Sequence, residues 1–125
     1  MTPDDWSAFA LLLIDVQRDF RPAEQCRSFP DFPRRVGQLL STCRDRGIDV
    51  IHLRGTFRAD RSDWMPRYRL RGSTPCVDGT EGIETLSFAV ETPGEPVIAK
   101  QTFDGFHQPE LLVPTCKSSR AFERR

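Results

Sequence analysis

Apolar positions along the chain gather into three short runs separated by longer polar stretches. The first, Ala10, Leu11, Leu12, Leu13 and Ile14, is unbroken and does not alternate, the pattern of a strand buried on both faces of a parallel sheet. It ends at once in Asp15, with no glycine or proline to account for the stop. Ligands of open α/β sheets bind outside the carboxyl ends of the strands, so Asp15 stands where chemistry is expected rather than packing. Residues 21–31 hold Pro22, Pro30, several charges and Cys26 without a period, and read as a loop.

Behind Pro33, the residues Phe32, Val36, Leu39, Leu40 and Cys43 fall at helical spacing on one face, with Arg34, Arg35, Gln38 and Arg44 opposite. Gly47 supplies the stop. The second apolar run, at 48–53, contains β-branched Ile48, Val50 and Ile51 and reads as a strand. Strand, helix and strand then make a βαβ unit with parallel strands and a right-handed crossover. The third run, Val97, Ile98 and Ala99, follows a turn made by Pro93, Gly94, Glu95 and Pro96 and ends in Lys100. If the three strands are parallel, Asp15 and Lys100 emerge on the same side of the sheet. Phe103 and Phe106, around Asp104 and Gly105, would wall a pocket beside the lysine. A short helix is expected from Pro109, cut by Pro114.

Between the second and third strands, residues 54–92 lack a clear period and are punctuated by glycine and proline, as in a lid or binding segment. Arg54, Arg58, Arg61, Arg67, Arg69 and Arg71 are interleaved there with Phe57, Trp64 and Tyr68. That mixture can serve phosphate or single-stranded nucleic acid. The plainer reading is a solvated loop with its aromatic residues tucked beneath it. Composition favours the plainer reading, because 18 basic and 18 acidic residues leave no net charge to draw the protein towards nucleic acid or anionic membrane. The length, 125 residues, bounds the chain to one domain at most. Cys26, Cys43, Cys76 and Cys116 show no metal-finger spacing, so reduced thiols and a cytoplasmic location are expected. No apolar run approaches the roughly 20 residues of a membrane span.

An aspartate and a lysine meeting at a sheet edge form half of a catalytic apparatus, which a cysteine thiolate would complete. Four segments carry a family resemblance: ALLLIDVQRDF at 10–20, VIHLRGTF at 50–57, GTEG at 79–82 and PVIAKQTFDGF at 96–106. In these the chain resembles the isochorismatase-like cysteine hydrolases, a family that includes nicotinamidases and N-carbamoyl amidohydrolases. The first and last segments are the specific ones. The resemblance implies a three-layer α/β fold with a parallel, Rossmann-like sheet, here partial with about three strands. It implies Asp15 as catalytic base, Lys100 as charge stabiliser, and Phe20 and Phe106 as pocket aromatics, with a small amide or related molecule as substrate. Nicotinamidases hold a divalent ion with an Asp-x-His motif after the second strand. Here the histidines are His52, within that strand, and His107, so neither metal nor cofactor is expected.

The family's nucleophile lies beyond a fourth strand in a segment like G-x-x-T-x-x-C, which this chain lacks. The resemblance covers residues 8 to about 112, and 1–112 is expected to be the N-terminal part of such a domain. Residues 113–125 read as a divergent, disordered tail of the kind a truncated product would carry. Cys43 is expected in the core, Cys116 in the tail, and Cys26 and Cys76 in loops without the helix N-terminus that activates a thiol. The chain alone is therefore expected to be inactive or nearly so. The first strand would lie exposed where a fourth should pair with it, a seat for homo- or hetero-oligomers. On that ground the competing function is a non-catalytic binding or assembly module that pairs with a full-length subunit.

Overall fold

The computed structural model describes residues 5–111, which form a three-stranded parallel sheet with helices, an α/β fold. Strand β1 (Ala10–Ile14) pairs with the central strand β2 (Asp49–Gly55), and β2 pairs with β3 (Val97–Lys100). In register, Ala10 faces Asp49 and Ile14 faces Leu53; His52 faces Val97 and Gly55 faces Lys100. All three strands thus run out towards one edge. That edge carries Asp15 and Lys100.

Helix α2 (Phe32–Asp45) has Pro33 in its first turn and buries Val36, Leu40 and Cys43. Strand residues alternate between faces, so Leu13 and Val50 fall on the face that this helix covers, and Ala89 closes the cluster. The opposite face sets Ile51, Leu53 and Ile98 against Leu111. Expected helix-face residue Leu39 is 47% exposed, because the sheet contact is narrower than the apolar stripe and leaves its flank in solvent.

Strand β1 departs from the expectation of burial on both faces. Only Leu13 is buried, and Ile14 is 51% exposed. The reason is topological: among the described residues β1 has one strand neighbour, and the layer holding Leu111 does not cover Ile14.

The segment read as a loop at 21–31 contains helix α1 (Ala23–Ser28), preceded by a 3-10 turn at Arg18–Phe20. Cys26 therefore sits on a helix rather than in a loop. The long connection after β2 contains helix α3 (Pro66–Arg71) and a satellite core of Phe57, Trp64, Tyr68 and Cys76. Its aromatic residues are buried as the plainer sequence reading has them. Arg61 and Arg71 stack over Trp64 and Tyr68, and Arg69 donates to the carbonyls of Ser62 and Trp64. The segment thus holds itself together with its own guanidinium groups.

At the amino end of β3, a polar cluster anchors strand to helix. Arg44 of α2 grips Glu95 through two hydrogen bonds of 2.8 Å, and buried His52 lies 2.9 Å from the same carboxylate. His52 is thereby satisfied in the core, as expected. No helix among the described residues is long and apolar enough to cross a membrane. The helix expected from Pro109 is present over residues 109–111, while its remainder, the expected tail at 113–125 and Cys116 lie outside the described residues.

Candidate active site

Asp15 leaves β1 in the left-handed region, at φ 57°, where an aspartate is better tolerated than most side chains. Its amide donates to the Leu53 carbonyl at 2.9 Å, and its own carbonyl accepts from the Gln17 amide at 2.9 Å. Those bonds turn the chain sharply at the strand exit. Lys100 closes β3 on the face away from α2 and is only 5% exposed. Its ammonium donates to Asp15 Oδ2 at 3.2 Å and to the Thr102 carbonyl at 3.1 Å. Asp15 Oδ1 is buried and has no hydrogen-bond partner among the described residues. The pair therefore presents a charge-compensated carboxylate with one oxygen free to accept a proton, beside a cation able to stabilise developing negative charge.

Gln17, which the sequence reading passed over, is the residue that ties this edge together. It is fully buried. Its side-chain Oε1 accepts from the Gly55 amide at 2.9 Å, while Nε2 donates to the Gly55 carbonyl at 2.8 Å and to the Ile83 carbonyl at 3.0 Å. Residues 84–86 run antiparallel to the β1 exit, with the Arg18 amide on the Glu84 carbonyl and the Leu86 amide on the Val16 carbonyl. Arg18 adds ion pairs to Glu81 and Glu84. Asp19 accepts from the Cys76 amide at 2.8 Å. A Cβ at Gly82 would meet its carboxylate at 2.0 Å, so the GTEG segment must end in glycine for this contact to form.

A cavity of about 310 Å³ opens beside Asp15. It is walled by Ile14, Val16, Phe20, Phe29, Phe32 and Leu86, with Gln17, Arg21 and Gln25 as its other polar lining. Phe20 thus shares a cavity with Asp15. Phe103 and Phe106 are not part of that wall; they are 71% and 52% exposed.

None of the three described cysteines stands as a nucleophile beside the pair. Cys43 is buried under α2, and burial raises its thiol pKa. Cys76 lies within the influence of both Asp15 and Lys100, yet it is fully buried. Burial foremost, then the Asp19 and Asp15 carboxylates, push its thiol up to about 12, with Lys100 opposing them. Cys26 is half-buried on α1, its sulfur 3.8 Å from the Arg21 carbonyl. Among the described residues no three His, Cys, Asp or Glu side chains cluster closely enough to hold a metal ion.

The isochorismatase domain model matches residues 9–113, nearly the whole of the described chain. The chain belongs to the isochorismatase family. An isochorismatase family protein from Desulfovibrio vulgaris is 30% identical, with a TM-score of 0.68 over 86% of this chain and 62% of its own. A cysteine hydrolase from Pseudomonas syringae superposes with a TM-score of 0.75 at 20% identity, covering 92% of this chain and 58% of its own. N-carbamoylsarcosine amidase from Thermoplasma acidophilum does so with a TM-score of 0.67 at 18% identity, covering 86% and 61%. The last two likenesses are of fold alone. The chain spans less than two thirds of the length of each of these relatives. No curated protein matches it.

Proposed function

We propose that this isochorismatase-family domain serves the hydrolysis of a small amide or related C–N bond, with Asp15 as proton acceptor and Lys100 as charge stabiliser. The observation carrying this reading is the Asp15–Lys100 ion pair with Asp15 Oδ1 left unpartnered at the carboxyl edge of the sheet. Kinship of fold with an enzyme named N-carbamoylsarcosine amidase supports the amide class.

In the reaction, a cysteine thiol gives its proton to Asp15 and the thiolate attacks the carbonyl. The C–N bond then breaks, and the amine leaves with a proton while the acyl group stays on sulfur. Water hydrolyses that thioester and restores the thiol. Lys100 bears against the negative charge of the attack.

Among the described residues Cys26, Cys43 and Cys76 do not meet this role, and on this reading the chain alone is expected to be inactive or nearly so. Losing one member of an interdependent catalytic set costs several orders of magnitude in rate. The test is ammonia release from a panel of small primary amides and N-carbamoyl compounds by the purified chain. Release no faster than from heat-denatured protein is expected. Thiol-dependent turnover abolished by Cys26→Ser or Cys76→Ser would overturn the inactivity.

A second reading is favoured by β1 having one strand neighbour among the described residues and by the exposure of Ile14. On it the chain is a binding or assembly module that joins a complete homologous subunit. Co-purification with such a subunit supports it, and a lone monomer counts against it.

A further inference from the structure

The cavity beside Asp15 carries one cation whose setting the proposed hydrolysis leaves unused. Arg21 follows the 3-10 turn that ends in Phe20, and its guanidinium stacks 5.8 Å from the Phe32 ring centre and 6.0 Å from that of Phe88. One nitrogen, Nη2, makes a long 3.3 Å bond to the Phe29 carbonyl. Nε and Nη1 make no hydrogen bond, and no carboxylate forms an ion pair with Arg21 among the described residues. The two rings flank the guanidinium, and most of its N–H groups are left without a partner among the described residues. A guanidinium so placed can take a planar anion by charge-assisted hydrogen bonds.

The rest of the wall limits what such an anion can be attached to. Phe20, Phe29 and Phe32 make it largely aromatic, and about 310 Å³ is near the lower end of small-molecule sites. A ring-sized apolar body fits this lining. A polar group within it is costly unless it meets one of the few polar side chains. The carboxylate of Asp15 repels an anion at its own end of the cavity, although Lys100 compensates much of that charge. The anion is therefore directed to Arg21, and the reacting carbonyl to Asp15.

We infer that Arg21 makes this cavity selective for small substrates in which an apolar, ring-sized body carries a carboxylate or similar planar anion. The inference rests on the proposed amide hydrolysis for its reacting end, and on Arg21 for its anionic end.

Benzoate and benzamide, alike in shape and different in charge, test it by titration into the isotopically labelled chain followed by NMR. Benzoate is expected to shift the resonances of Ile14, Phe20 and Leu86 and to bind about tenfold tighter than benzamide, since charge-assisted hydrogen bonds are roughly twice as strong as neutral ones. Arg21→Met keeps an unbranched stem against Phe32 and Phe88 and should erase the difference, while Arg21→Lys keeps part of it. Phe20→Ala, which retains the guanidinium, should weaken both ligands alike, and this holds the test open if the arginine variant misfolds. Equal binding of the two ligands, a preference that survives Arg21→Met, shifts confined to other surfaces, or no binding by either ligand would overturn the inference. Asp15→Asn should leave the benzoate preference in place. Failure of the hydrolytic reading and failure of the anion preference are thus read from different measurements.

Discussion

The side-chain amide of Gln17 pairs with both backbone groups of Gly55, accepting at 2.9 Å and donating at 2.8 Å, as a neighbouring strand would. Gln17 thereby continues the sheet past the end of β1, and its remaining bond to Ile83 holds the 81–86 segment against the β1 exit. Gln17→Leu keeps much of the volume and leaves three buried backbone groups unpaired. A loss of about 2–4 kcal/mol is expected in urea unfolding, given ~1–3 kcal/mol for each unsatisfied buried group and partial relaxation. Gln17→Glu sets a carboxylate against the Gly55 and Ile83 carbonyls. At neutral pH it should be less stable than Gln17→Leu, with the order narrowing in acid.

The Asp15–Lys100 pair is suited to a double-mutant cycle. Asn tolerates the left-handed conformation at position 15, so Asp15→Asn removes charge without disturbing the turn. Lys100→Met removes the buried cation while keeping an unbranched chain. A coupling energy of about 1–3 kcal/mol is expected from denaturant unfolding, within the range for contacting residues. Partial exposure of the aspartate, 28% for its side chain, holds the value below that of a fully buried pair. Additive single effects would show that the two side chains do not act as a unit.

How much of this architecture can be read in advance depends on the density of the local signal. Strand β1 is a five-residue apolar run and β3 a shorter one that ends at a charge, so their limits are visible in the sequence. That both exits bring Asp15 and Lys100 together follows once the strands are parallel. Helices α1 and α3, of six residues each, are too short to display a period, and proline at their starts reads equally well as loop punctuation. Gln17 is invisible for a different reason. Its partners are 38 and 66 residues away, so nothing local distinguishes it from a solvated glutamine three residues past the end of a strand. The outward placement of Phe103 and Phe106 depends in the same way on packing around Gly105, where a Cβ would collide with Leu53 at 2.3 Å.

Acid should act on the fold through Glu95. Hydrogen bonds from Arg44 foremost, and others from Thr92 and His52, hold its carboxyl well below the usual carboxylate range despite the opposing effect of burial. A group whose pKa is depressed in the folded state contributes stability above its unfolded value of about 4.3, and that contribution is lost as pH falls through the folded value. Stability should therefore decline from about pH 5 downwards. Glu91, lowered by Arg54, adds a smaller term of the same sign because it is more exposed. Glu95→Gln should be less stable than the parent at pH 7 and should converge with it in strong acid, as followed by thermal melts across pH. Parallel acid limbs for the two proteins would assign acid sensitivity to other carboxylates.

The thiols offer a test that needs no substrate. With its thiol pushed up to about 12 and its side chain fully buried, Cys76 should resist alkylation at pH 8 in the folded protein, as should Cys43 beneath α2. Cys26, half-buried on α1, should react first among the three. Peptide mass spectrometry after iodoacetamide treatment reads this order directly. In denaturant all three should label alike, because the protection belongs to the fold. The positive φ of Cys76 and the Asp19 bond to its amide hold this thiol inward. Asp19→Ala should therefore speed its labelling more than that of Cys43. Rapid labelling of Cys76 in the folded parent would place a reactive sulfur near Asp15 and Lys100, and with it a nucleophile where the proposed function has none.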